Sequence, residues 1–171
     1  MKYRLKSIFS SRDGDIEAVI HPVLLHGITL LIPVNIYIIG DLLGAGVQWP
    51  LFRYQETYLG RSFINLPREL TYVLSGILGG KTALAIWIWI LGALLLVMAL
   101  GLAFLPDNKK SRKIRGYLLI SGSILFLITD FVLYGPFLHG ARGAVIPVGI
   151  PVLLILGLLI LSEAKRDSPR E

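Results

Sequence analysis

Two apolar runs, Thr82 to Leu105 and Tyr117 to Tyr134, flank a short connector in which Asp107 to Arg115 carries five cations. This pattern limits the chain more than any other. A bilayer core of roughly 30 Å takes about 20 apolar residues in a helix, and Lys and Arg in short loops stay on the cytoplasmic side. Fixing the connector inside therefore fixes the direction of every span around it. Two more apolar runs, Val19 to Ile39 and Ala144 to Leu161, are long enough to read as spans. The expected fold is an all-α integral membrane protein, one domain with four transmembrane helices at about 19–39, 82–105, 117–134 and 144–161. An outer, partly helical segment at 44–80 and a tail at 162–171 complete it, with the protein in the cell membrane, multi-pass, and both termini cytoplasmic.

Composition agrees with lipid as the solvent. Only 16% of the 171 residues are charged, against about 25% in a typical soluble domain, and the mean hydropathy is +0.70. The net charge of +6 could suggest nucleic acid, but the cations sit beside the apolar runs and form no stripe with interleaved aromatics. Twelve of the 17 cations fall on the expected inner segments; Arg53, Arg61, Arg68, Lys81 and Arg142 are the outer five. Cysteine is absent, which excludes disulfides, thiolate metal sites and thiol catalysis. Residues 1–18 read as an inside-facing orientation signal or a short amphipathic surface helix. The run after them is longer than a signal-peptide core, so it reads as a retained span.

The first run is the most polar, with His21, His26, Thr29, Pro33 and Asn35. Pro33 should kink it by removing a backbone hydrogen bond, and Gly40 and Gly44 form a small-xxx-small pair that would let another helix approach. The stretch His21-Pro22-Val23-Leu24-Leu25-His26, with a following run that ends Gly40-Asp41-Leu42-Leu43, resembles the opening helix of a family of functionally uncharacterised four-helix membrane proteins that begin His-Pro-x-x-x-His. The chain departs from that family directly after His26, where Gly27-Ile28 stands in place of an aromatic-Pro pair. The resemblance implies an association with respiratory or redox membranes.

The 44–80 segment is rich in aromatics suited to the headgroup level. Pro67-Arg68-Glu69 reads as a helix start, and Leu70 to Leu78 is too short to cross, so it is expected to lie along the surface or dip in and return. Its charges, with those of the other outer turn, supply a candidate polar pocket of Asp41, Arg53, Glu56, Glu69, Asp130, His139 and Arg142. Asp130 is the most informative, because a carboxylate within a span is usually paired, protonated or facing water. It reads either as a proton- or cation-handling group or as a buried hydrogen bond to a neighbouring helix or Arg142. His21 and His26 invite haem, but five positions turn by about 140°, so both cannot close on one iron. They read better as interhelical hydrogen-bonding groups or as ligands shared between two copies.

No catalytic motif is present: there is no His-Glu-x-x-His and no Gly-x-Ser-x-Gly, and Gly79-Gly80-Lys81-Thr82 matches only the end of a phosphate loop. The expected function is that of a non-catalytic subunit or homo-oligomeric component of a membrane assembly. The alternatives are a proton or small-solute transporter using Asp130, and a haem- or quinone-linked redox subunit using His21, His26 or His139.

Overall fold

A computed structural model describes residues 22–40 and 43–166. His21, Asp41, the N-terminal orientation signal and the end of the tail lie outside the described residues. The all-α, four-helix expectation is corrected by what the rest shows. The described residues form a mixed α/β fold of five helices and a six-stranded antiparallel sheet. Among the described residues, two helices are long and apolar enough to cross a membrane, Gly80–Ala103 and Lys109–Tyr134.

Helix α1 covers Pro22–Leu31 and stops where Pro33 disfavours helical geometry in the residue before it; the proline ends the helix and does not kink it. The next five residues form β1, Asn35–Ile39. Their apolar character looked like more helix, yet Ile, Tyr, Ile and Ile are residue types that favour strands. Asn35 and Tyr37 are buried on one face while Ile36 is exposed on the other, the period of two that a strand imposes. Strands β2 (Gly44–Gln48), β3 (Phe52–Thr57) and β4 (Gly60–Asn65) follow as a meander. They occupy much of the segment expected to be interfacial and partly helical.

Helix α2, Leu66–Leu74, then begins where Pro67 fits the first turn and Asn65 caps it, its Oδ1 accepting from the Arg68 N–H at 3.1 Å. After α3 (Gly80–Ala103) and α4 (Lys109–Tyr134) come β5 (His139–Gly140), β6 (Gly143–Ile146) and α5 (Ile150–Arg166). The fourth apolar run is thus divided between a strand and a 17-residue helix. The cationic connector is also shorter than expected, because Lys109 to Arg115 form the opening turns of α4 behind Asn108, whose Oδ1 accepts from the Ser111 N–H at 2.8 Å.

Strand order is β4-β3-β2-β1-β6-β5. The return of β6 beside β1 allows no side chain at Gly143: a Cβ there would stand 1.8 Å from the Ile38 carbonyl oxygen. Below the sheet, small residues bring the helices together. Gly92 of α3 faces Gly122 and Phe126 of α4, while Gly116 of α4 faces Gly157 of α5, and a Cβ at any of these glycines would come within 3.3 Å of the opposing backbone. Such close crossings are how helices pack without a hydrophobic drive in lipid. The Gly40/Gly44 pair has a different use, since Gly40 turns with φ +52° and Gly44 belongs to β2.

Candidate functional site

Where the sheet meets the helices, a chamber of about 260 Å³ lies between β2, β3, β4, α2 and the adjoining ends of α3 and α4. Alternation along β3 turns Arg53 to this inner face and Tyr54 to the outer one. Cross-strand pairing puts Arg53 opposite Gln48 and Ile64, and all three line the chamber. Helix α2 brings Glu69 to Arg53, with Nε and Oε1 2.6 Å apart. The floor is apolar and aromatic. Trp89 packs on Phe126 with ring centroids 4.4 Å apart and donates its indole N–H to the Pro50 carbonyl at 3.0 Å. That bond ties α3 to the β2–β3 turn while keeping a buried donor satisfied.

The Arg53–Glu69 contact is an ion pair by distance, but its N–H is poorly aligned for a hydrogen bond, and Glu69 Oε2 has no partner among the described residues. Burial pushes the Glu69 carboxyl above its ordinary value, and the Arg53 charge offsets this only in part. A chamber with apolar walls, one cation and one reluctant carboxylate suits an amphipathic guest with a hydrogen-bonding end.

Asp130 lies beside this chamber and not in its lining; its neighbours Thr129 and Leu133 line it. Asn35 donates to Asp130 Oδ1 at 2.8 Å, a bond between residues 95 apart in sequence that fastens β1 onto α4. Neither residue is more than 1% exposed. The remaining candidates are dispersed. Glu56 pairs with Arg61 at 3.3 Å on the outer face of the sheet, His139 is exposed in β5, and the Arg142 carbonyl accepts from the Gly40 N–H at 2.8 Å. Of the six pocket candidates among the described residues, the structure brings Arg53 and Glu69 together, with Asp130 close by.

His26 sits elsewhere, with Asp107, Arg112 and Arg115 around a second cavity of about 320 Å³. It is separated from His139, and among the described residues no three His, Cys, Asp or Glu side chains form a group that could hold a metal ion. In the sequence Arg115 stands only as an orientation charge, yet it is 2% exposed. Its spacing from Asp107, two turns of helix later, was the available signal. In the sequence Asn35 stands only as one of the polar residues of the first apolar run, and that run hides its placement in a strand. No protein-family model matches the chain, and a search of curated proteins gives no match.

Proposed function

We propose that the chain is a non-catalytic, multi-pass membrane component that self-associates through the outer face of its sheet. In this reading α3 and α4 cross the bilayer, and the five cations of the short connector between them hold the basic start of α4 on the cytoplasmic side. Burial within the chain supports the lipid setting. Only 33% and 39% of the most apolar windows of α3 and α4 are buried, and Leu84, Leu91, Leu94, Val97 and Met98 are each more than 40% exposed. A core helix of a water-soluble domain would cover such residues.

One observation carries the assembly role. Ile146, Ile36, Val47, Tyr54 and Phe63 share a single register position across five strands on the face turned from the helices. Ile146, Ile36 and Phe63 are 59%, 41% and 55% exposed, so the row is an apolar stripe of the kind that marks an interaction surface. Beside it the Glu56–Arg61 pair supplies both signs of charge. A two-fold axis passing between these two side chains would set each sign against its opposite, an arrangement that a second copy can supply. Crosslinking and native mass spectrometry in mild detergent should show multimers that Phe63→Asp disperses. A strictly monomeric particle across detergents contradicts the reading.

A second reading, proton or small-solute movement through Asp130, draws support from its buried Oδ2, which has no partner among the described residues. It requires Asp130→Asn to abolish pH-driven flux in liposomes, and unchanged flux excludes it.

A further inference from the structure

From Phe63 to Pro106 the chain holds one acidic residue, Glu69, and α2 turns it inward, where it is buried against Arg53. The cations of the same stretch, Arg68 and Lys81, are exposed. The corner that joins α2 to α3 therefore presents charge of one sign to its surroundings. Arg68 is held in place there: its Nε donates to the Tyr72 hydroxyl at 2.6 Å, and its guanidinium carbon lies 5.6 Å from the centre of that ring. An aromatic ring with a cation at its polar tip suits the level where acyl chains meet headgroups.

The apolar side of this corner is uncovered. Successive helical residues turn by about 100°, which puts Leu70 and Leu74 on a flank of α2 beside the face that Leu66 and Glu69 turn to the chamber. Gly76, at φ +74°, ends the helix; its N–H donates to the Val73 carbonyl at 3.1 Å, and the Leu78 N–H returns to the Tyr72 carbonyl at 3.0 Å. After a left-handed cap of this kind the next apolar residue commonly packs back on the helix. Here that residue, Ile77, is 70% exposed, and so is Leu74. The exposure continues on α3 through Leu84, Trp87 and Leu91.

Chain length sets the level of the patch. At about 1.5 Å per residue the 24 residues of α3 extend about 36 Å, against a hydrocarbon core of roughly 30 Å. A spanning α3 thus keeps its first turn near the headgroups. Ile77 precedes Gly80 by three residues and lies at most about 11 Å from it.

We propose that the α2–α3 corner is a second, monotopic contact with the bilayer: Leu74 and Ile77 enter the leaflet where α3 begins, and Arg68 and Lys81 pair with phospholipid phosphates. The proposal rests on the membrane reading of α3 and adds a lipid-facing surface outside the spans. An amphipathic element with cations at its rim binds such a surface through buried apolar area and attraction to anionic lipid. Because α2 follows β4 directly, the contact would hold the β4 edge of the sheet at the membrane surface.

The test uses the full chain in vesicles of phosphatidylcholine, with and without phosphatidylglycerol. Single cysteines carry a fluorophore at Ile77→Cys, at Tyr58→Cys on the β3–β4 turn, and at Leu94→Cys on α3, where the native side chains are 70%, 77% and 50% exposed. Nitroxides on lipid acyl chains should quench positions 77 and 94, and acrylamide in the water should quench position 58. Removing the cations, by Arg68→Gln with Lys81→Gln, should lower the inserted-to-withdrawn ratio at position 77 by about fivefold per cation in phosphatidylglycerol vesicles at low salt, and far less in phosphatidylcholine alone. Acrylamide reaching position 77 as freely as position 58, with position 94 still quenched from the lipid, overturns the proposal and leaves the membrane reading standing. Shielding of position 77 from both quenchers, as a covering second copy would produce, also overturns it. Acrylamide reaching position 94 as well would remove the membrane reading and this contact together.

Discussion

Two carboxylates meet arginine at opposite ends of the helices, and their titration shifts in opposite directions. Asp107 receives directed contacts from Arg112 at 2.7 Å and from Arg115. Partial burial alone would raise its carboxyl; the hydrogen bond from Arg112 and the charges of both arginines outweigh that and hold it below its ordinary value. Glu69 has one arginine 2.6 Å away, poorly aligned, in a more enclosed place, and its carboxyl is raised. Proximity to a cation is therefore not enough. Depth of burial, together with the direction and number of donors, decides whether such a carboxylate is stabilised as the anion.

The largest effect should come from Asp107→Asn, which leaves Arg115 buried with a weakened partner. A loss of about 2 kcal/mol is expected, below that of a fully buried pair because Asp107 is itself partly exposed to solvent, measured by unfolding in one fixed detergent. The same residue gives an acid limb. Because its folded value lies below the ordinary 3.8, Asp107 contributes stability at neutral pH that is lost as pH falls below 3.8 through the folded value. Asp107→Asn should remove that limb.

Glu69 should behave with the opposite sign. Its folded value lies above the ordinary 4.5, so its contribution is complete below 4.5 and is lost as pH rises through the folded value. Glu69→Gln should therefore cost only about 1 kcal/mol or less at neutral pH and flatten the change above pH 4.5. A loss as large as that of Asp107→Asn would mean the two sites are alike after all. Smallest of all, Glu56→Gln breaks a pair whose side chains are 58% and 72% exposed, and unfolding should shift by no more than about 0.5 kcal/mol.

The same contrast explains what could be read in the chain beforehand. The apolar run at 82–105 overlies α3, and Pro67-Arg68-Glu69 marks the start of α2, because helix length, caps and proline act locally. The sheet was missed because Asn35–Ile39 and Ala144–Ile146 are apolar enough to pass as continuations of helices. Their pairing joins residues about a hundred positions apart, which no local pattern announces. Phe52 to Thr57 and Gly60 to Asn65 did carry a signal, an aromatic-and-polar alternation joined by a two-residue turn. Aromatics in that segment suit the headgroup level equally well, which masks the strands. The site shows the same division: Arg53 and Glu69 were candidates by type, but only strand register and the α2 cap bring them together, and Asn35 meets Asp130 only once β1 exists.

Sidedness tests the whole arrangement most directly, and the absence of cysteine makes it clean. Ser62→Cys on β4 and Lys110→Cys at the start of α4 would each carry the single thiol of an otherwise thiol-free chain. With α3 and α4 crossing the bilayer, a membrane-impermeant maleimide should label position 62 on intact cells and position 110 only after permeabilisation. Labelling of both positions from the same side would contradict a sheet and a basic end held on opposite faces of a membrane.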